Sequence, residues 1–338
     1  MSFKVPELPD HISNNLFYTC MSERCQQFIV GSLKTHSLIH YSLISSTTKH
    51  QAESIHRIAC YIGFQLNHRE ITIYSDLPDM TCMKFTIPPI PPRWKPLSKI
   101  PAPTSIATYS FRRMTIWTKP EYSWTCWMTH LADVLHCRKL KLVFDEGADK
   151  YQVEAFKKIF EEKFEILSVR VERNQMEFTG QILKMLHPTR EFFLNPIDAE
   201  ASKSNDAIIN KIPGNLEVLE FGDKFPLTIS HLEKLDSQNI KIWLLMVTDF
   251  DLNTFLKKWI SLKTNLNLKQ LIARFGLVSI SEGYQQRILN GIPYYLLEED
   301  KETLVVGKYQ IQRRDGRRAV LMFDTTIFPV RVKMVIVD

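Results

Sequence analysis

Glycine is scarce in this chain, at 11 of 338 residues, and that scarcity bears first on chemistry. Loops that cradle phosphates need glycine so that backbone N–H groups can approach the anion closely. Neither G-x-x-x-x-G-K-[ST] nor G-x-G-x-x-G occurs, and G-x-S-x-G and H-E-x-x-H are absent as well. The expectation is a protein that is not an enzyme and binds no cofactor. Long apolar runs are also missing. The densest, Ile242-Trp-Leu-Leu-Met-Val247, has the length of one buried strand, far short of the roughly 18 residues of a membrane helix. Met1-Ser-Phe-Lys-Val-Pro6 lacks the apolar core of a secretory signal, and no Asn-x-Ser/Thr acceptor occurs. The six cysteines, Cys20, Cys25, Cys60, Cys82, Cys126 and Cys137, leave the C-terminal half with none. They read as reduced thiols of a cytoplasmic or nuclear protein. The net charge of +6 permits an acidic partner without requiring nucleic acid.

What remains is an ordinary globular composition, 44% hydrophobic and 24% charged, long enough for two or three units. Residues 1–50 read as short helices: Pro6-Glu-Leu-Pro-Asp10 opens the first, followed by Ile12, Leu16 and Phe17 at helical spacing. A second pattern runs through Phe28, Ile29, Leu33, Leu38 and Ile39. Residues 51–107 form a strand segment and a linker. Arg69–Tyr74 and Met83–Ile87 alternate, then Pro88-Pro-Ile-Pro-Pro92 and prolines 96, 101 and 103 block regular hydrogen bonding.

From residue 108 the pattern becomes regular. Strand-like pieces centre on Leu140, Leu167, Phe192, Leu219, Trp243 and Leu271, a spacing inside the leucine-rich-repeat range. Helix-like pieces intervene. Val153, Phe156, Ile159 and Phe160 share one helical face, as do Leu252, Phe255, Leu256 and Trp259, with Asp249 or Asp251 suited to capping. A strand–helix unit this short cannot bury its apolar face alone, so stacked neighbours must supply the core. The spacing predicts an α/β solenoid over residues 108–285. A doubly wound sheet shows the same alternation without a fixed period. Residues 286–338 predict an antiparallel cap: Asp315-Gly316 suits a type I′ hairpin turn, and Phe328–Val337 supplies a third strand.

The order of these pieces resembles the nematode-expanded F-box proteins that carry a type 2 F-box-associated domain. The resemblance runs from Trp124 to Val337 through three stretches. They are Trp124-x-x-Trp-Met-x-x-Leu-x-x-Val-Leu-x-Cys137, Thr248-Asp-Phe-Asp-Leu-Asn-Thr-Phe-Leu-Lys-Lys-Trp-Ile260 and Tyr309-x-Ile-x-Arg-Arg-Asp-Gly316. At the N-terminus the resemblance implies an F-box docking the adaptor Skp1 of a cullin ubiquitin ligase through Leu8, Pro9, Ile12, Leu16, Phe28 and Leu33. The segment Tyr18–Gln27 is more polar than an F-box. The implied function is substrate recognition: the repeat domain holds an unknown protein to be ubiquitinated, with no catalytic residue in this chain. Residues flanking the inward leucines then line the binding face: Lys141, Ser168, Arg170, Glu191, Glu220, Lys241 and Gln270. Their mixed charge fits a protein rather than a phosphate backbone. A ligase-independent scaffold with a vestigial F-box is the alternative.

Other clusters compete with this reading. Cys20, Cys25, His36 and His40 approach a C2H2 zinc-finger spacing, but the central spacer is short of the usual length. Arg313-Arg314-Asp315-Gly316-Arg317-Arg318 would grip phosphates, or simply keep a hairpin tip soluble. Trp94, Trp117, Trp124 and Trp127 form an aromatic groove or seal a core, the commoner use. Glu161-Glu162 and Glu298-Glu299-Asp300 read as solvated surface.

Overall fold

Period-two alternation makes a strand with one wet and one dry side, and here it recurs until a single sheet absorbs fifteen described strands. The computed structural model describes residues 30, 33–67, 70–76, 82–87, 96–103, 105–110, 113–117, 122–160, 164–172, 174–195, 202–223, 225–245, 247–275, 283–297, 305–324 and 331–337. The first five strands are β1 (Ile62–Leu66), β2 (Glu70–Ser75), β3 (Cys82–Thr86), β4 (Ser105–Ser110) and β5 (Arg113–Trp117). Six more follow: β6 (Lys139–Phe144), β7 (Glu165–Glu172), β8 (Glu191–Asn195), β9 (Leu216–Phe221), β10 (Ser237–Leu245) and β11 (Gln270–Phe275). The last four are β12 (Tyr294–Leu297), β13 (Val305–Gln312), β14 (Arg318–Asp324) and β15 (Arg331–Val337). Across the sheet the order is β5-β4-β3-β2-β1-β6-β7-β8-β9-β10-β11-β15-β14-β13-β12.

The centre is parallel and the wings are antiparallel. β1 and β6 through β11 pair in parallel, and from β6 onward the spatial order is the chain order. Parallel neighbours need a crossover. It is supplied by α4 (Val153–Phe160), α5 (Met176–Met185), α6 (Ser202–Ile209), α7 (Ile229–Lys234) and α8 (Asp249–Ile260). Preceding them are α1 (Thr35–Ser42), α2 (Ser46–Glu53) and α3 (Trp124–Val134); α9 (Tyr284–Ile288) follows. From α3 to α8 each helix touches the next, so they form one row. A doubly wound sheet reverses strand order at a switch point, and no reversal occurs between β6 and β11. The arrangement is a mixed α/β fold built on one large open sheet.

One side of each central strand is dry. Leu140, Leu142 and Phe144 of β6, Val169 and Val171 of β7, Phe192 and Leu194 of β8, and Leu219 and Phe221 of β9 are all buried. Against them lie the helical stripes. Val153, Phe156, Ile159 and Phe160 of α4 are buried, as are Leu252, Phe255, Leu256 and Trp259 of α8. Each such side chain contributes about 1.5–3 kcal/mol. The helices also start where capping permits. Thr248 caps α8: its Oγ1 accepts the Asp251 N–H at 3.1 Å, while Asp251 Oδ2 accepts the Thr248 N–H at 2.9 Å. Asp251 thus acts as the reciprocal partner of the cap.

Successive units are stitched by buried asparagines. Asn174 is fully buried, and its Nδ2 donates to the carbonyls of Phe144, Asp145 and Glu172 at 2.9, 3.1 and 2.7 Å. Asn253 donates to Ile288 O and Asn290 O at 2.7 and 2.8 Å. Asn265 donates to Leu232 O and Leu235 O at 3.0 and 2.6 Å. Carbonyls at strand and helix ends lack a ladder partner, and a buried amide satisfies them without a charge.

Several expectations need correcting. The proline-rich stretch is not wholly a linker: the Leu97 N–H donates to Lys150 O, and Leu97 O accepts from Gln152 N–H, both at 2.8 Å. β1, β4 and β5 were hidden in the sequence beside glycine and proline. The C-terminal strands extend the same sheet, since β15 pairs with β11. Their hairpin turn is not type I′, because of the pair only Gly316 has positive φ (93°). The Asp315 carboxylate accepts from both Arg313 and the Arg317 N–H, keeping Asp315 out of the left-handed region. The α1 and α2 helices share the sheet's core through Leu38 and Ile39 of α1, Leu43 between them and Ala52 of α2.

Candidate functional site

Since residues paired across a sheet point to the same side, the register lays out the face opposite the helices. One row reads Tyr74, Gly63, Lys141, Ser168, Glu191, Val218, Asn239, Gln270 and Val335. The next reads Thr72, Gln65, Val143, Arg170, Phe193, Glu220, Lys241, Ile272 and Lys333. All seven binding-face residues named from sequence fall on these two rows. Lys141, Ser168, Glu191 and Gln270 are in the first; Arg170, Glu220 and Lys241 are in the second.

The face has two electrostatic halves. Toward β6–β8 the charges neutralise one another: Lys141 Nζ lies 3.4 Å from Glu191 Oε2, and Arg170 pairs with Glu172. Both cations also sit over rings, Lys141 at 4.6 Å from the Tyr61 centroid and Arg170 at 3.8 Å from that of Phe193. The Tyr74 ring lies over Gly63, where an added Cβ would come within 2.1 Å of it. Only glycine lets the aromatic lie flat there.

Toward β10 and β11 the arrangement opens. Trp243 is 40% exposed, and its Nε1 donates to Glu220 Oε1 at 2.9 Å. Lys241 Nζ stands 3.7 Å from Glu220 Oε2. The Arg274 guanidinium lies 4.1 Å from the Trp243 centroid. Sequence reading took Trp243 as a strand centre and missed its direction, along with Arg274 and Lys333. Alternation from the buried Ile240 and Ile242 would have turned it outward.

The remaining candidates divide. Leu8, Pro9, Ile12, Leu16 and Phe28 lie outside the described residues, as do Cys20, Cys25, Trp94, Glu161-Glu162 and Glu298-Glu299-Asp300; the side chains of His36 and Trp117 do too. Leu33 packs half-buried against the core. Trp124 and Trp127 are buried, edge-on to Phe85 at 5.1 and 5.3 Å, so they seal the core. Arg313 is not a free hairpin-tip charge. It is buried beside the Trp259 ring and donates to Leu266 O at 3.1 Å and to both Asp315 oxygens. Hydrogen bonding to this arginine draws Asp315 down to about 2.

A second depression, of about 390 Å³, is lined by Lys49, Tyr122, Thr125, Cys126, Thr129 and His130. Beneath it Ser42 Oγ lies 2.8 Å from His130 Nε2, but its own hydrogen is directed to Ile39 O at 2.6 Å. The serine therefore accepts from the histidine, the reverse of an activated nucleophile. Among the described residues no cluster of metal-ligating side chains occurs, and no helix is long and apolar enough to cross a membrane.

No curated protein matches the chain. A family model described as F-box associated matches residues 208–272, which span the end of α6 through β11. That match supports an F-box-associated domain, and it covers β9, β10 and the first half of β11, the strands that carry Glu220, Lys241, Trp243 and Gln270 on the open face.

Proposed function

We propose that this chain is a non-catalytic substrate-recognition adaptor of a Skp1–cullin–F-box ubiquitin ligase. The N-terminal helices dock Skp1 through Leu8, Pro9, Ile12, Leu16, Phe28 and Leu33, and the open sheet face holds a target protein. The observation that carries the reading is the F-box-associated match over residues 208–272. It coincides with strands whose one face is committed to helices and whose other face is not. On this reading β6–β11 are irregular leucine-rich-type units. On the same reading the buried Asn174, three residues beyond Val171, falls at the asparagine position of that repeat pattern.

The test is co-expression of the full chain with Skp1, followed by size-exclusion chromatography. A stable one-to-one complex is expected. Leu8→Asp or Leu16→Asp should abolish it while leaving the thermal unfolding midpoint of the chain unchanged. A folded chain that never co-elutes with Skp1 would overturn the ligase role and leave the ligase-independent scaffold.

A further inference from the structure

The two halves of the open face differ in what they leave unsatisfied. Around β6–β8, Lys141 and Arg170 each have a carboxylate partner, and Lys139, at the first position of β6, stands opposite Glu165 in register. At β10, β11 and β15 the balance changes. Lys241 and Arg331 meet Glu220 and Asp324 at 3.7 and 3.9 Å. Among the described residues, Arg274 meets the Trp243 ring but no carboxylate, and Lys333 has no carboxylate partner either. Ile272 stands opposite Lys333 in register, and Val335, Val320 and Met322 continue the same face across β15 and β14. The result is a half-exposed apolar strip edged by two cations and ending at an exposed tryptophan. The register between β10 and β11 shifts between Ile242 and Leu245, directly at Trp243. A bulge at such a place re-aims a side chain at the expense of ladder regularity.

We propose that this patch, centred on Trp243, Ile272, Arg274 and Lys333, receives an acidic segment of the target protein whose carboxylates alternate with apolar side chains. The inference rests on the adaptor reading for the identity of the target, but not for the chemistry of the patch. Carboxylates would pair with Arg274 and Lys333, and the intervening apolar groups would cover Ile272, Val335 and the Trp243 ring. Tryptophan and arginine are the side chains that most often anchor interfaces. A phosphate backbone fits less well, because it brings no apolar groups to cover Ile272 and Val335 between the two cations.

The test selects displayed random peptides on the full-length chain, with the Arg274→Glu and Lys333→Glu variants as counter-targets. Enriched peptides are expected to be acidic with interspersed apolar residues. Fluorescence anisotropy of one labelled selected peptide should show affinity reduced about tenfold in either variant and further by added salt. Arg170→Glu, in the neutralised half, should change it less than about twofold. All three substituted positions lie on the open side of the sheet, and equal unfolding midpoints would confirm that the variants are folded. Enrichment without acidic bias, no enrichment over the counter-targets, or tighter binding of single-stranded poly-uridine than of any peptide would each overturn the proposal. None of these outcomes depends on Skp1, so its failure to bind would sink the ligase role and leave this result standing.

Discussion

The two faces of the central sheet are made by the same strands, residue by residue in alternation, yet they obey different constraints. On the helix side Leu142, Val169, Phe192, Leu219, Ile240 and Leu271 follow one another across six strands, all buried and all aliphatic or aromatic. On the other side the same register positions, one residue on, run Val143, Arg170, Phe193, Glu220, Lys241 and Ile272. The first series is dictated by packing against a single row of helices, so its chemistry barely varies. The second has no neighbouring layer among the described residues, and its side chains differ in charge, size and aromaticity from one strand to the next. A surface freed from packing is where recognition chemistry can be written.

The strongest way to break this comparison is to cut into the dry face. Phe144 is fully buried, with the rings of Phe156 and Phe178 at 5.0 and 5.9 Å. Phe144→Ala should lower unfolding free energy by about 3–5 kcal/mol, measured by urea denaturation. A loss below about 1 kcal/mol would mean that the two layers are not a single cooperative core.

The seams between units should respond next. Asn174→Ala removes the donors for three backbone carbonyls and should cost about 1–3 kcal/mol. Amide hydrogen exchange should locate the loss at β6 and β7. Uniform acceleration over the whole sheet would instead make Asn174 a global rather than a local staple.

Legibility from sequence followed the same division. The six central strands and the stripes of α4 and α8 were readable because each is long, periodic and packed on one side only. β1 was obscured by Gly63, whose missing side chain accommodates Tyr74 from the neighbouring strand. β4 and β5 lay beyond a proline run that reads as a break. The hairpin turn was misassigned because the Asp315 carboxylate is occupied by Arg313, a contact between side chains that a dipeptide rule does not contain. The seven residues named beside the leucines reach the open face by strand alternation alone. Arg274 and Lys333 were missed because what sets them apart is the lack of a carboxylate partner among the described residues, and pairing is set by register across strands far apart in sequence.

The smallest expected effect sharpens the comparison most. Lys141 and Glu191 face each other across β7 at 3.4 Å, with side chains 30% and 39% exposed. At that exposure solvent screens the pair, and a double-mutant cycle of Lys141→Gln and Glu191→Gln should return a coupling of about 0.2–1 kcal/mol. Lys141 also rests over the Tyr61 ring, so Lys141→Gln should cost slightly more than Glu191→Gln. If the open face contributes to folding only through such weak pairs, charges there can be exchanged almost freely without loss of the fold. A coupling above about 2 kcal/mol would show instead that the neutralised half is a structural network. Recognition would then be confined to the half around Trp243, where Arg274 and Lys333 have, among the described residues, no carboxylate to release.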